Sequence, residues 1–187
     1  MKIPISPKTI LLGFLLSIST IVSAQDDDRL LYHFETGLGL SRIDFSGGIV
    51  GINITNRANL TYGRHLFGIS YTESEEFALF TEPNEKMRFV NFTYGRVYAI
   101  YEDRFLLTYQ TGISWVSYKA RTHEISRTLF NTTYDSEENK DLGIPLEFSF
   151  QTNFFKYAGF STRFFAVFSS FQPVFGFTTS LCFGLLR

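Results

Sequence analysis

The sequence predicts an all-β protein, an eight-stranded antiparallel up-and-down transmembrane β-barrel that follows a cleaved signal peptide. Three observations predict this fold. From Leu30 onward, apolar residues recur at every second position, which is the period of a β-strand. The positions between them hold mainly Gly, Ser, Thr, Asn and Gln, while charged residues gather in the connections. Long polar connections and short turns alternate along the chain, as they do in barrels that cross a membrane.

The N-terminal segment has the parts of a secretory signal peptide. Lys2 and Lys8 make its start basic, residues 10–21 are apolar, and small residues precede a cleavage point after Ala24. The apolar run is shorter than the roughly 20 residues that a membrane-spanning helix needs. We therefore expect cleavage, and the predicted division of the chain is residues 1–24 signal peptide, 25–30 short polar lead-in and 31–187 barrel.

Each predicted strand sets bulky apolar residues on one face against small or polar residues on the other. The sixth strand is the most regular, with Leu146, Phe148 and Phe150 alternating with Glu147 and Ser149. A turn or polar connection separates each strand from the next. The eight predicted strands cover residues 31–43, 48–62, 66–74, 88–100, 105–119, 142–154, 159–169 and 175–185.

The connections predict how the barrel is oriented. Polar loops at 75–86 and 120–141 follow the third and fifth strands, whereas short turns follow the second, fourth and sixth. Outer-membrane barrels have short periplasmic turns and longer external loops. We therefore expect a bacterial outer-membrane location with the long loops outside. An even number of strands then leaves both termini in the periplasm.

The composition of the two faces predicts which one contacts lipid. Phe and Tyr number 22 and 10, and they dominate the apolar face. Eight such faces would overfill the interior of a small barrel, whereas small polar residues suit a narrow lumen that side chains fill. A soluble exported barrel that binds an apolar ligand is the alternative. It would place Phe148, Phe164 and Phe177 at the centre.

Bulk composition excludes some functions. A net charge of −1 gives no electrostatic case for binding nucleic acid. The single cysteine, Cys182, excludes an internal disulfide and a multi-cysteine zinc site. His33, His65 and His123 share no ligand spacing, so we expect no metal and no cofactor.

Four charged residues fall on the predicted inner face. They are Glu35, Arg57, Glu147 and Arg163, with His33 beside them. Unpaired charges would be costly in a lumen, so opposite signs should meet in a charge network, with Glu147 and Arg163 pairing across neighbouring strands. A path for protons or ions is the alternative interpretation.

A lipid-modifying enzyme is the alternative to a non-enzymatic barrel. His123, Glu124 and Ser126 hold the residue types of a hydrolase in a polar loop. A catalytic triad is recognised by geometry and not by neighbours in sequence. We therefore predict no catalytic residues.

Three short motifs resemble a family of uncharacterised small outer-membrane proteins of Bacteroidetes. They are Gly143-Ile144-Pro145-Leu146-Glu147, the end Leu181-Cys182-Phe183-Gly184-Leu185-Leu186-Arg187, and Tyr94-Gly95-Arg96. More distantly, the layout resembles the eight-stranded barrels of the OmpA and OmpX type. The resemblance implies an outer-membrane barrel and no particular activity. Many such barrels end on an aromatic residue, whereas this chain ends on Arg187, four places after Phe183.

These features together predict an integral outer-membrane barrel with a structural or surface-interaction role and no wide pore. Its expected partners are outer-membrane lipid, the barrel-assembly machinery during insertion, and an external ligand at the loop 120–141. Loops on rigid scaffolds often carry function.

Overall fold

The computed structural model describes residues 30–43, 50–77, 81–82, 84–101, 104–127 and 132–186. One antiparallel sheet closes on itself, because the last strand returns to pair with the first. The predicted fold class is confirmed. Its eight strands are β1 Leu30–Ile43, β2 Val50–Tyr62, β3 His65–Glu76, β4 Lys86–Tyr101, β5 Phe105–Arg127, β6 Thr132–Asn153, β7 Ala158–Phe168 and β8 Val174–Leu185.

Two regions are not part of the eight strands. The predicted signal peptide lies outside the described residues, as does the lead-in up to residue 29. A two-residue segment, Thr81–Glu82, pairs in parallel with Thr132 and Thr133 of β6. Among the residues that the structure describes, no helix is long and apolar enough to cross a bilayer.

The two faces of the sheet are oriented as the sequence predicts. Phe148, Phe164 and Phe177 are 38%, 52% and 39% exposed, so they lie on the outside of the barrel. Polar residues between them in sequence, such as Ser149 and Thr178, are buried in the lumen. The soluble alternative required the opposite arrangement, and the structure does not have it.

Short turns join strands at one end of the barrel, which we call the turn end. Tyr62 and His65 pair across the tightest of these turns, where Gly63 has a φ of 56° that favours glycine. The first and last described residues, Leu30 and Leu186, also lie at this end, because β1 begins there and β8 ends there.

The opposite end carries the largest departure from the sequence prediction. The prediction of a loop over 120–141 is wrong, because β5 continues to Arg127 and β6 begins at Thr132. The antiparallel pairs persist up to Arg127 and Thr132. We call residues 120–127 and 132–143 the protruding hairpin, and we call this end of the barrel the hairpin end.

The strand pattern disappears from the hairpin sequence for a physical reason. Alternation arises where one face contacts an apolar surface and the other does not. Beyond Trp115 neither face of the hairpin needs to be apolar, so its polar residues show no period. Backbone hydrogen bonds between the paired strands still hold the β conformation. The predicted loop over 75–86 is shorter for the same reason, since β3 reaches Glu76 and β4 starts at Lys86.

Candidate functional site

The lumen holds the four charged residues that the sequence places on the inner face. Glu35, Arg57, Glu147 and Arg163 each expose 6% or less of their surface. They come from β1, β2, β6 and β7, and each projects inward because it shares the phase of its strand's polar residues. The two carboxylates and the two guanidinium groups carry opposite charges, so the net charge of these four residues is zero. That balance is what a low-dielectric interior requires.

Arg57 is the centre of this lumen network. Its Nη1 donates to Glu147 Oε2, and its Nη2 donates to Gln110 and, at 3.2 Å, to Thr93 Oγ1. Its Nε donates to Asn59 Oδ1 at 2.7 Å. All three guanidinium nitrogens therefore have acceptors, and the side chain is fixed in the middle of the lumen.

A glycine makes room for this arginine. A Cβ atom at Gly68 would lie 2.7 Å from both Arg57 Nη2 and Thr93 Oγ1. That separation is too short for any real contact, so a side chain at this position would displace the guanidinium group. A small residue on the inner face at this position therefore leaves the space that the Arg57 side chain occupies.

The two carboxylates are held differently. Glu147 also accepts from Asn91 Nδ2 at 3.2 Å and lies 3.7 Å from Arg163 Nη1, an ion pair across the neighbouring strands β6 and β7. Glu35 accepts from Asn59 Nδ2 at 2.6 Å and from Ser161 Oγ at 3.2 Å. Thus Asn59 links the Arg57–Glu147 pair to Glu35.

His33 belongs to the same group of side chains. Its Nε2 lies 3.1 Å from Glu35 Oε1 and 2.9 Å from Asn59 Nδ2. His65 lies apart from it, where its Nδ1 is 2.7 Å from the hydroxyl of Tyr94. The structure does not bring these two histidines together. Within the described parts of the chain, no three His, Cys, Asp or Glu side chains form a group that could hold a metal ion.

An apolar plug closes the lumen on the hairpin side of the network. Its largest members, Phe89 and Phe165, are 1% and 8% exposed, and their ring centroids are 6.5 Å apart in an edge-to-face arrangement. The plug consists of Met87, Phe89, Val116, Phe165, Val167 and Val174.

The plug is not among the features predicted above, although the sequence contains a signal for it. Phe89 is in phase with the inward residues Asn91 and Thr93, and Phe165 with Arg163. Apolar residues in the polar phase, all at the same end of their strands, indicate an internal apolar layer. The prediction took only the polar members of each inner face.

A second charged cluster, which we call the clamp, joins the hairpin to the β3–β4 connection. Arg121 forms an ion pair with Glu76, and its Nε lies 3.7 Å from Glu85 Oε1. Tyr118 donates its hydroxyl hydrogen to Glu85. Burial and this carboxylate raise the pKa of Tyr118, so the hydroxyl stays protonated. The clamp ties the base of the hairpin to the neighbouring strands.

The outer surface changes from apolar to charged within one row of residues. Tyr71, Val90, Trp115 and Leu142 are transverse neighbours on β3 to β6, and the next outward row is Glu73, Arg88, Ser117 and Lys140. Lys86 forms an ion pair with Glu73, which lowers the pKa of Glu73 and raises that of Lys86. An apolar row that includes Tyr71 and Trp115, next to a row that includes Glu73, Arg88 and Lys140, is the pattern of a membrane boundary.

The proposed hydrolase residues stay untested. His123, Glu124 and Ser126 lie on β5 within the hairpin, but their side chains lie outside the described part of the structure. Backbone pairing changes register twice between Arg121 and Ser126.

Comparison with known proteins gives a likeness of fold. No protein-family model and no curated protein sequence matches the chain. Among solved structures, Neisserial surface protein A is similar with a TM-score of 0.65 and 7% identity, over 81% of this chain and 96% of that one.

Two further barrels are similar over comparable lengths. Ail, the attachment invasion locus protein of Yersinia pestis, has a TM-score of 0.59 and 12% identity, over 82% of this chain and 97% of that one. The N-terminal β-barrel domain of Pseudomonas aeruginosa OprF has a TM-score of 0.56 and 6% identity, over 82% and 96%. At these identities the likeness shows the fold, an eight-stranded barrel of the outer-membrane kind.

Proposed function

We propose that this chain is an integral barrel of the bacterial outer membrane, with a filled lumen and a hairpin that offers an external surface for interaction. One observation carries the proposal: bulky apolar side chains face outward all round the sheet, while polar and charged ones are buried inside. An exposed apolar surface of this extent is unstable in water and is stable in lipid. A closed sheet also leaves no unpaired strand edge in the hydrocarbon.

The dimensions agree with a bilayer. On β5 the outward apolar residues run from Phe105 to Trp115. Ten steps of about 3.3 Å, at the usual tilt of roughly 40°, rise about 25 Å along the barrel axis. That rise matches the apolar band of outer-membrane barrels, about 25 Å tall.

A closed lumen argues against a transport function. The lumen network fills the middle of the barrel, and the plug fills the level between the network and the hairpin. Charged groups that bind one another, as Arg57 and Glu147 do, are not free to coordinate passing ions. The network interpretation is therefore favoured over a conduit.

An interaction role fits the shape of the hairpin end. The two longest strands extend beyond the neighbouring β4, whose Lys86 pairs with Lys119, by up to about 26 Å from Lys119 to Arg127 at 3.3 Å per residue. Short turns at the other end favour a periplasmic position for that end and both termini. The names of two similar barrels, Neisserial surface protein A and the attachment invasion locus protein Ail, agree with such a role.

No specific observation favours a lipid-modifying enzyme. The hydrogen-bond partners of His33 are Glu35 and Asn59, and that of His65 is Tyr94, all within the described residues. Neither histidine is paired with a serine or cysteine nucleophile there.

Fractionation and heat-modifiable gel migration test the membrane assignment. We expect the protein in the outer-membrane fraction and a folded form that migrates differently before and after boiling. A protein found in the soluble periplasmic fraction, with no such shift, would overturn the proposal.

Labelling of intact cells tests the orientation. Glu137→Cys at the hairpin and Lys156→Cys at the turn end are both exposed positions, and the native Cys182 is buried. A membrane-impermeant maleimide should label the first variant and spare the second and the parent. The reverse result would place the hairpin in the periplasm.

A further inference from the structure

One edge of the protruding hairpin is a strand without a neighbour. β6 pairs with β5 along its length, but its pairing with β7 begins only at Ile144. On that side, within the described residues, the ladders leave 134–143 without a partner strand. Such an edge presents backbone donors and acceptors to any extended chain.

The register shows which backbone groups face the open side. Asn153 donates its N–H to Arg104 on the β5 side, and the register of β6 against β5 is unshifted from there to Ser136. Odd-numbered residues of β6 therefore bond β5, and even-numbered residues direct N–H and C=O the other way. The open groups belong to Ser136, Glu138 and Lys140, although Asp135 Oδ1 accepts from Ser136 N at 2.9 Å.

The chain itself demonstrates that this edge accepts a strand. Thr81 and Glu82 pair in parallel with Thr132 and Thr133, on the side of β6 away from β5. The added strand stops after two residues, directly before the open stretch. The same edge is therefore competent for strand addition by a segment from elsewhere.

The charges on the edge select the kind of segment. Residues 134–141 carry four carboxylates and one lysine, a net charge of −3. Asp135, Glu137 and Asp141 share one face of β6, and the β5 residue opposite Glu137 is Ala120, which is uncharged. Asp141 already accepts hydrogen bonds from the backbone N–H and the hydroxyl of Ser170, so Asp135 and Glu137 are the carboxylates of this face that remain for a bound segment. The same edge of a second copy would bring carboxylates against carboxylates, which disfavours self-pairing.

We propose that residues 134–140 of β6 bind an extended cationic polypeptide segment by strand addition, with Lys or Arg at alternate positions. This inference rests on the proposed function, because it needs the hairpin to lie outside the cell. Backbone hydrogen bonds supply the binding and the alternating cations supply the selectivity, as in other cases of β-augmentation.

The test uses the full barrel in lipid nanodiscs and a peptide of four Lys-Thr repeats. Glu-Thr repeats of equal length control for charge. Two further peptides carry N-methyl groups on all Lys amides or on all Thr amides, which keeps the charge and removes one set of backbone donors. We expect the Lys-Thr peptide to bind, the Glu-Thr peptide not to bind, and only one methylated peptide to lose binding.

Amide hydrogen exchange gives a second readout at single residues. The amides of Glu137 and Asn139 bond β5 and should be protected with or without peptide. Those of Glu138 and Lys140 should exchange rapidly in the free protein and slowly in the complex. An equal gain in protection at all four amides when the peptide is added, or no gain at Glu138 and Lys140, would contradict strand addition.

A variant without two of the β6 carboxylates tests whether their charge contributes to binding of the peptide. Asp135→Asn with Glu137→Gln should weaken binding of the Lys-Thr peptide roughly three- to tenfold. Glu75→Gln removes a carboxylate from the outer face of β3 and should leave binding unchanged.

Equal binding of both methylated peptides would show a merely charged surface and overturn the proposal, as would no binding at all. Self-association of the peptide-free protein through the hairpin would also overturn it. Each of these failures leaves the membrane and labelling experiments above intact.

Discussion

Arg57 and Glu147 lie on opposite sides of the barrel, four strands apart around the ring, and their side chains meet in the middle of the lumen. No pairing of neighbouring strands connects β2 to β6. The ion pair is therefore a cross-brace that joins the two halves of the barrel wall. Because both residues are almost fully buried, neither charge can be satisfied by bulk water if the other is removed.

Removing Glu147 is expected to destabilise the barrel strongly. Glu147→Ala leaves Arg57 and Arg163 without their shared carboxylate, and breaking a buried pair typically costs about 3–5 kcal/mol. The measurement is the temperature at which the folded form on a gel converts to the unfolded form. Ser149→Ala, two residues along the same face, loses one neutral hydrogen bond to Thr108 and should cost only about 1 kcal/mol. Equal losses in the two variants would show that charge pairing is not what matters.

Opening the apolar plug is expected to destabilise the barrel without creating ion conductance, because the lumen network still fills the middle of the barrel. Phe89→Ala with Phe165→Ala removes two rings that face each other within the lumen and leaves a cavity on the hairpin side of the network, and each such deletion typically costs about 3–5 kcal/mol. The double variant should convert to its unfolded form at a lower temperature on a gel, and both it and the parent protein should be silent in a planar lipid bilayer. Phe164→Ala, which removes an outward ring next to the plug, should stay silent. Current through the parent protein would contradict the closed lumen.

An arginine on the outer surface is expected to cost more near the middle of the membrane than near its boundary. Phe164 pairs with Phe148 and Phe177 in the centre of the apolar band, whereas Phe168 is the last residue of β7 at the hairpin end. Phe164→Arg should cost about 2–4 kcal/mol of unfolding free energy in vesicles, and Phe168→Arg about 0–1 kcal/mol. The measurement is chemical denaturation followed by Trp115 fluorescence. Equal costs at the two positions would remove the evidence for a lipid-facing band.

The sequence was sufficient to predict the barrel because lipid and lumen impose opposite demands on alternate residues. Phe148 and Ser149 show this most simply, since one is exposed and its neighbour is buried. A period of two survives in the sequence wherever both demands act. The four lumen charges could be placed on the inner face by phase alone. The contact of Glu147 with Arg163 could be predicted as well, because their strands are neighbours. The contact of Arg57 with Glu147 could not, because it crosses the ring, and only the curvature and stagger of the barrel bring the two side chains together.

The hairpin and the plug escaped prediction for a different reason. Residues 120–127 and 132–141 lie above the apolar band, where the demand for alternation ends while strand pairing continues. Phe89 and Val167 are apolar in the phase that elsewhere is polar, so the simple rule of polar inside and apolar outside excludes them. Both failures occur at the same end of the barrel, where the environment of the strands changes from lipid to water.

Acid is expected to weaken the charged row at the hairpin end. The hydrogen bond and charge of Lys86 lower the pKa of Glu73, so the folded state favours the carboxylate. The resulting stability is present above the ordinary pKa of 4.5 and is lost as the pH falls through the lowered value. The pair is partly exposed, so its contribution should be below about 1 kcal/mol.

Glu73→Gln tests this assignment. The variant should no longer show the loss of unfolding free energy that protonation of Glu73 causes in acid. Its unfolding free energy near pH 7 should be only slightly lower than that of the parent protein. The measurement is unfolding free energy against pH, and Glu75→Gln is the control, since Glu75 lies farther from Lys86, at 3.5 Å. An unchanged pH profile in Glu73→Gln would show that the ion pair has no such effect.

Loss of the clamp is expected to loosen the hairpin without unfolding the barrel. Arg121→Ala leaves the carboxylates of Glu76 and Glu85 close together with no cation between them, so the base of the hairpin should detach more often. A glutamate-specific protease added outside proteoliposomes should then cut within the hairpin about tenfold faster, because cleavage follows the population of opened states. Lys119→Ala removes a neighbouring cation that is exposed and outside the clamp, and it should leave the rate unchanged. The heat-induced transition of the barrel should be the same in both variants, since the lumen network and the apolar band are untouched. Faster cleavage together with a lowered transition temperature would mean that Arg121 stabilises the whole barrel and not the hairpin alone.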